Sequence, residues 1–247
     1  MSEQFDIAVI GAGPGGYIAA LKAAQLGAKV AVIEKHHLGG TCLNYGCIPS
    51  KALLASAELL HKIHHGADLG ISVSGAVDFD WTKIQKRKDG VLKKLRGGVK
   101  GLFGARGVKL FQGSAKLAGP GKIQISSEAG AAETITAKNT IIASGSVPMR
   151  IPGWPDDPQL VCTSDEALHW QDLPKRLLIV GGGVIGCEFA CMMHEYGVEV
   201  TVVEMLDSLL PGMEAQLCQA LEQRFVKRGI KIHTAVKVES ISQTAQG

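Results

Sequence analysis

"DIAVIGAGPGGYIAALKAAQLGAKVAVIE" runs from Asp6 to Glu34, and its pattern returns as "RLLIVGGGVIGCEFACMMHEYGVEVTVVE" from Arg176 to Glu204. The two copies align without gaps at an offset of 170, and eight of their positions are identical. Each copy has a buried apolar strand, a tight glycine turn, a helix and a second strand that ends in an acid. This is the pattern of a dinucleotide-binding βαβ unit. The predicted fold class is therefore α/β, with two Rossmann-like dinucleotide-binding domains, each a three-layer arrangement around a parallel central sheet.

Three glycines in each copy have separate tasks. The first permits a sharp turn, the second lets backbone approach a pyrophosphate, and the third lets the helix lie close to the strand. They are Gly11, Gly13 and Gly16 in the first copy, and Gly181, Gly183 and Gly186 in the second. The pyrophosphate binds at the helix N-terminus, where unpaired N–H groups point outward. Glu34 and Glu204 lie 23 positions after the first glycine, where a carboxylate accepts hydrogen bonds from a ribose.

The composition sets wide limits. A chain of 247 residues with 46% hydrophobic residues holds one large or two ordinary domains. A net charge of +3 gives no reason to expect nucleic acid or membrane as a partner, and no apolar run is long enough to span a bilayer. A strand that begins by Phe5 leaves no room for a signal peptide. Six cysteines without such a leader indicate a reducing compartment, the cytoplasm or, in a eukaryote, the mitochondrial matrix after removal of a transit peptide.

The region between the copies predicts further elements and a domain boundary. Four of the nine prolines lie in "GSVPMRIPGWPDDP" (145–158), and a boundary there separates domain 1–147 from domain 148–247. Because the chain ends among strand-like residues, we expect both domains to be incomplete at their C-terminal side. Apolar spacing predicts helices at 48–63, 80–103 and 214–228, strands at 108–111, 122–126, 133–136 and 139–145, and two strands within 230–242.

"GGTCLNYGCIPSK" (Gly39 to Lys51) places Cys42 and Cys47 five positions apart, directly before an apolar helical run. A disulfide this local closes a very small loop and constrains little of the unfolded chain. Cys47 comes just before a predicted helix N-terminus, a position that favours the thiolate. The pattern therefore predicts a redox pair that opens and closes, and the alternative is two buried cysteines that are not bonded.

Other patterns have simpler interpretations. "HKIHH" (His61 to His65) lies at a helix end without cysteine or carboxylate partners nearby, so we expect solvated or capping histidines and no metal site. The basic run at 83–100 contains apolar residues at helical spacing, which predicts a packed helix with a solvated basic face. The remaining cysteines are interpreted as small core residues; they are Cys162, Cys187, Cys191 and Cys218.

Four segments together, "GAGPGG", "GGTCLNYGCIPSK", "IIASGSVPMRIPG" and "GGGVIGCEFA", resemble the flavoprotein disulfide reductases. The match covers the whole chain but only about the first half of the family's length. The resemblance implies that the first glycine unit binds FAD and the second binds NAD. Within the family, the sequence is most similar to members that oxidise the dihydrolipoamide of a lipoyl domain in 2-oxo acid dehydrogenase complexes. In them electrons pass through a disulfide, here Cys42–Cys47, and FAD to NAD⁺.

The resemblance also assigns roles to individual residues. Cys42 is the implied interchange thiol, Cys47 the charge-transfer thiol against the flavin, and Lys51 the partner of Glu188 near flavin and nicotinamide. The implied FAD-binding positions are Gly11, Gly13, Pro14, Gly15, Gly16, Glu34, Lys35, Gly40, Thr41, Cys42, Lys51, Ala115, Ser144, Gly145 and Ser146. The implied NAD-binding positions are Gly181, Gly182, Gly183, Val184, Ile185, Gly186, Glu188, Glu204 and Val238. Two positions depart from the common family pattern: Ser144 replaces Thr and keeps the hydroxyl, while Ala115 replaces Gly, which requires a negative φ.

The family's later half has no counterpart in these 247 residues. It supplies the homodimer contacts and a His–Glu pair for the partner's active site, and none of the eight histidines lies in that context. We therefore expect the chain to be inactive alone. After Glu204 the sequence "MLDSLL" contains Asp207 and no Lys or Arg, which favours NAD over a 2′-phosphorylated nucleotide. The alternatives are a sibling reductase of the glutathione or mercuric reductase type and a noncatalytic dinucleotide-binding module.

Overall fold

The computed structural model describes residues 3–127, 130, 132–155, 157 and 160–242. The chain forms two compact units: Met1–Pro49 with Asp89–Val147, and Ser50–Lys88 with Pro148–Gly247. The domains expected from the sequence, 1–147 and 148–247, meet at the same position but place residues 50–88 in the first domain. Positions 156 and 158 of the proline-rich boundary stretch lie outside the described residues.

The first unit is a mixed sheet with helices. Its strands are β1 (Gln4–Ile10), β2 (Val30–Glu34), β3 (Lys109–Gln112), β4 (Ser114–Leu117), β5 (Lys122–Ser126) and β6 (Ala132–Ile142), and its short helices are α1 (Pro14–Gln25) and α2 (Gly40–Asn44). In the part of the chain that is described, these strands form one six-stranded sheet in the order β3-β2-β1-β6-β5-β4. The strands β3, β2, β1 and β6 are parallel, and β5 and β4 continue the sheet in antiparallel pairing.

Both faces of the first sheet are covered. All five residues of β2 are buried, as expected for a central parallel strand. Val9 and Val32 pack on one face with the helical residues Leu92 and Phe103. Ala8 and Ile33, which alternate with Val9 and Val32 along β1 and β2, form a separate core with Phe5, Ile123 and their neighbours.

The second unit repeats the βαβ arrangement on a smaller sheet. Its elements are α5 (Ser164–Ala167), β7 (Arg176–Val180), α6 (Val184–Glu195), β8 (Glu199–Val203), α7 (Ala215–Arg228) and β9 (Lys231–His233). Within the described residues the sheet has three parallel strands in the order β7-β8-β9. Most of the long helix α3 (Cys47–His64), a 3₁₀ turn (Gly66–Leu69) and the first two turns of α4 (Trp81–Ala105) also belong to this unit.

Core packing explains why residues 50–88 join the second unit. Leu53, Ala57 and Leu60 of α3 are buried together with residues of α6 and β8 in one cluster. Trp81 of α4 joins the same cluster, and its Nε1 donates to the carbonyl oxygen of Trp170 at 3.0 Å. The assignment of this segment to the first domain followed chain order, whereas burial of its apolar face determines the unit in which it folds.

The predicted α/β class with two Rossmann-like units is confirmed, and most predicted elements agree within a few residues. Two details differ. The predicted strands 133–136 and 139–145 are one strand, β6, because β5 pairs with it from Ala132 to Thr136 and β1 pairs with it between Thr136 and Ile142. The second strand predicted within 230–242 does not form in this described stretch. Ala235 has a φ of +55°, and its N–H donates to Leu206 rather than to a strand ladder.

The short elements α2, α5 and β4 were not predicted, because each has only four or five residues and too little periodicity to detect. Within the described residues, none of the helices combines the length and apolar character that a membrane crossing needs.

Candidate functional site

Two positions of the first glycine turn, between β1 and α1, have no room for a side chain. Gly11 has a φ of +100°, and a Cβ there would lie 2.2 Å from the carbonyl oxygen of Ala143 at the end of β6. A Cβ on Gly16 would lie 1.9 Å from the Gly11 carbonyl oxygen. Gly11 therefore permits the turn beside β6, and Gly16 lets α1 lie directly on the turn.

The second glycine turn, between β7 and α6, has the same geometry. Gly181 has a φ of +112°, and a Cβ on Gly186 would lie 2.0 Å from the Gly181 carbonyl oxygen. A cleft of about 870 Å³ opens beside this turn and is lined by Gly181, Gly183 and Val184 together with residues such as Arg150 and Trp170. This space is sufficient for a nucleotide ligand.

The middle glycine of each motif faces an open cradle. A Cβ on Gly183 would meet no described atom within 4 Å, and one on Gly13 would meet only the Cα of Gly40, at 3.7 Å. Gly13 and Gly183 are also the N-cap residues of α1 and α6, so each cradle lies at a helix N-terminus. These positions fit a dinucleotide pyrophosphate, which needs close backbone approach and unpaired N–H groups.

Glu34 and Glu204 are both buried, each with 8% of its surface exposed. Glu34 Oε2 accepts from the Ala12 N–H at 2.7 Å, and its Oε1 accepts from the His36 N–H at 2.8 Å. Glu204 repeats the arrangement with the N–H groups of Gly182 and Leu206, at 2.6 and 2.8 Å. The sequence predicted ribose contacts for these acids; their contacts with backbone were not predicted.

The dithiol stretch packs directly on the first glycine turn. Gly39 donates its N–H to the Ala12 carbonyl oxygen at 2.8 Å. A Cβ on Gly40 would lie 2.5 Å from the Cα of Gly13, and Gly40 itself has a φ of +56°. The helix α2 begins at Gly40 and contains Cys42, so the same glycine contact that seats the loop also starts the helix that carries this thiol.

Cys42 is partly buried, while Cys47 is exposed and is the first residue of α3 rather than the residue before the helix. The disulfide between Cys42 and Cys47 stays a prediction. Thr41 Oγ1 donates to the Ser146 carbonyl oxygen at 3.4 Å, which brings Thr41 to the "SGS" turn of residues 144–146.

Asn44, between the two cysteines, was not predicted to contribute to the site. It is buried on α2, and its Nδ2 donates to the carbonyl oxygens of Leu38 and Gly40 at 3.0 and 2.8 Å. Within the described residues its Oδ1 is buried without a hydrogen-bond partner. The sequence feature that could have indicated this role is the polar residue between Cys42 and Cys47, because a buried amide forms hydrogen bonds that can hold a loop in place.

In the second unit, Lys51 of α3 and Glu188 of α6 form an ion pair through Nζ and Oε1. Both side chains are partly exposed, and the pair joins α3, which begins at Cys47, to the helix that follows the second glycine turn. Val238 is half-buried in the stretch after β9, outside any helix or strand. In the first unit, Lys35 is exposed after β2, and Ala115 lies in β4 without a positive φ, as its substitution for glycine requires.

The remaining cysteines and histidines have local roles. Burial raises the pKa of Cys187 to about 11, and its Sγ donates to the Gly182 carbonyl oxygen at 3.3 Å. Burial also raises the pKa of Cys162. These thiols stay protonated near neutral pH, unlike a redox nucleophile. His61 Nδ1 lies 3.1 Å from Glu195 Oε2, and no group of three metal-ligating side chains occurs in the described part of the chain.

A protein-family model described as pyridine nucleotide-disulphide oxidoreductase matches residues 5–246. The chain belongs to this family.

Relatives in this oxidoreductase family are similar over almost the whole chain. Dihydrolipoyl dehydrogenase of Acholeplasma laidlawii is 42% identical over 98% of this chain and 71% of its own length. Dihydrolipoyl dehydrogenases of Bacillus subtilis and Chlorobaculum tepidum are 43% and 40% identical over 96% and 100% of this chain, and in each case over 52% of their own length. The chain therefore spans about half the length of these last two relatives.

Proposed function

We propose that this chain carries the dithiol and dinucleotide sites of a dihydrolipoyl dehydrogenase, with FAD in the first unit and NAD in the second. The observation that carries the proposal is the contact of Gly40 with Gly13, because it places the helix of Cys42 directly beside a dinucleotide cradle. A noncatalytic dinucleotide-binding module has no need for a dithiol at that position. The names of the relatives support dihydrolipoamide as the substrate.

In the proposed reaction the Cys42–Cys47 disulfide is the oxidant. One thiolate of dihydrolipoamide attacks Cys42 Sγ, forms a mixed disulfide and releases Cys47 as a thiolate. The second substrate thiolate then attacks the substrate sulfur of the mixed disulfide, which forms lipoamide and releases Cys42. The substrate loses two electrons and two protons: the cysteine pair gains the two electrons, and the protons pass to solvent as the substrate thiols ionise.

Bound FAD would supply the two-electron redox chemistry between the cysteine pair and NAD⁺. The chain's own residues would hold the two dinucleotides in similar ways. Gly13 and Gly183 would admit the pyrophosphates, and Glu34 and Glu204 would accept from ribose hydroxyls through their remaining lone pairs. Lys51, paired with Glu188, would set the charge where the two helices meet.

The partner of this reaction would be the lipoyl domain of a 2-oxo acid dehydrogenase complex, and the complete enzyme would be a homodimer. We infer a cytoplasmic location from the same relatives. A sibling reductase that acts on a different disulfide would use the same two cysteines, so substrate turnover is required to distinguish the two.

Absorbance spectroscopy tests the dithiol proposal. The purified chain is titrated with FAD and then reduced with dithiothreitol, and we expect a flavin spectrum that gains a long-wavelength band from the Cys47 thiolate. Cys42→Ser should keep this band and Cys47→Ser should lose it, with Cys218→Ser as the control. If the chain binds no flavin in excess FAD, or if the band persists in Cys47→Ser, the proposal is wrong.

A further inference from the structure

Glu34 and Glu204 hold matching positions in the two copies of the βαβ unit, and backbone already occupies both oxygens of each carboxylate. One oxygen accepts from the residue after the first motif glycine, Ala12 or Gly182. The other accepts from the residue two positions after the acid itself. The residues that donate these N–H groups differ in side chain between the two units. The repeated hydrogen bonds therefore point to a requirement of the glycine turn itself rather than to local side-chain packing.

The residue after the first motif glycine, Ala12 or Gly182, also accepts a hydrogen bond at its carbonyl oxygen. Gly39 donates its N–H to the Ala12 oxygen, and Leu210 donates its N–H to the Gly182 oxygen, both at 2.8 Å. Gly39 and Leu210 have φ values of +93° and +52°, so the loop after the second strand turns back over the glycine turn in both units. We call the acid and this loop together the turn clamp.

The clamp also determines which N–H groups remain for a ligand. The N–H of Gly11 donates to Ile33 and that of Gly181 donates to Val203, each at 2.8 Å. With the next N–H committed to the acid, the first two donors of each motif are used inside the protein. The donors left for a pyrophosphate are those from the N-cap glycine onward, at the start of α1 or α6.

We propose that Glu34 and Glu204 are positioning residues, which shape the phosphate turn independently of any contact with a ribose. The proposal rests on the proposed function for the identity of the ligands. A carboxylate suits the task because it accepts two N–H bonds at once and strengthens both by its charge. Glutamine has one acceptor oxygen, so Glu204→Gln leaves an amide NH₂ facing one of the two backbone N–H groups.

A ligand-free measurement tests the clamp itself. Backbone amide hydrogen exchange is compared in the full chain, Glu204→Gln and Glu199→Gln. Glu199 is the control: it begins β8, the strand that Glu204 directly follows, and its side chain is 54% exposed and paired with Lys231. We expect at least one of the Gly182 and Leu206 amides to exchange roughly tenfold faster in Glu204→Gln only, as the loss of a charged hydrogen bond requires. Unchanged exchange at both amides would overturn the proposal.

A ligand comparison separates positioning from ribose binding. The affinities for NAD⁺ and for its analogue without the 2′-hydroxyl of the adenosine ribose are measured in the same variants. If Glu204 is a positioning residue, Glu204→Gln should lower the affinity for both ligands by roughly tenfold. A lower affinity for NAD⁺ alone would mean that Glu204 only contacts the ribose. Lower thermal stability with unchanged affinities would mean that its role is only structural. Either result contradicts the proposal.

The proposed NAD site and the positioning role of Glu204 can be contradicted independently of each other. If the unaltered chain binds neither ligand, the proposed NAD site is wrong, while the amide exchange still decides the role of Glu204. If Glu204→Gln does not fold, Glu34→Gln provides the same test in the first unit, with exchange of the Ala12 and His36 amides and affinity for FAD as the measurements.

Discussion

Gly40 shows how one residue can serve two parts of a site. Its missing side chain lets the loop approach the Cα of Gly13, and its positive φ starts the helix that carries Cys42. The family resemblance implies that Gly40 is one of the FAD-binding positions. The structure adds a contact inside the protein, which does not depend on a bound ligand.

Replacing Gly40 with alanine should therefore be costly. We expect the free energy of unfolding of Gly40→Ala to fall by about 2–4 kcal/mol, the sum of a positive φ and a clash with backbone. Flavin binding should weaken in the same variant, because the added Cβ enters the cradle. Both are measured by urea unfolding and by FAD titration.

Gly27→Ala is the matched control. Gly27 also has a positive φ, +89°, but a Cβ there would meet no described atom within 4 Å. Its substitution should cost about 1 kcal/mol, the conformational part alone. Equal losses in the two variants would show that the contact between Gly40 and Gly13 contributes nothing.

At the scale of elements, α4 is a long basic helix with an unusual number of glycines. Gly90, Gly97, Gly98, Gly101 and Gly104 lie along it, and a Cβ on any of them would meet no described atom within 4 Å. Its opposite face carries Leu92, Val99 and Phe103 into the core of the first unit. The predicted packed helix is confirmed, and tertiary packing outweighs the low helix propensity of its glycines.

Alanine at Gly97 and Gly101 should stabilise α4. Each substitution removes conformational freedom from the unfolded chain and meets open space in the folded one, so we expect a gain of about 0.5–1 kcal/mol per site. Thermal unfolding measures the gain. Gly16→Ala in α1 should have the opposite sign, because its Cβ would collide with the Gly11 carbonyl; a loss at Gly97 and Gly101 would contradict this explanation.

At the scale of the whole molecule, the chain does not divide into consecutive domains. It leaves the first unit within α3 and returns to it within α4. The intervening residues supply part of the second unit's core, including Leu53, which is fully buried. Stability of the second unit therefore depends on residues that precede its glycine turn by more than a hundred positions.

Leu53→Ala tests this division of the chain. We expect it to lower the free energy of unfolding by about 2–5 kcal/mol, the usual cost of a cavity in a closed core. Leu59→Ala, on the same helix with 60% of the leucine exposed, should change it by less than about 0.5 kcal/mol. Urea unfolding distinguishes them, and similar values would argue that residues 50–88 contribute no core to the second unit.

The sequence was sufficient for the two βαβ units and their glycine turns, while the redox role of Cys42 and Cys47 stays a prediction. These features depend on short-range rules: hydrophobic periodicity, the backbone freedom of glycine and the spacing of residues within one turn. Other features required contacts between residues far apart in the chain. Packing of Gly40 on Gly13, the backbone bonds of Glu34 and Glu204, and the place of residues 50–88 in the second core are of this kind. Such contacts form only after folding brings the segments together. The hydrophobic effect that drives folding is non-directional, so a local sequence pattern does not indicate which distant residue will be the partner.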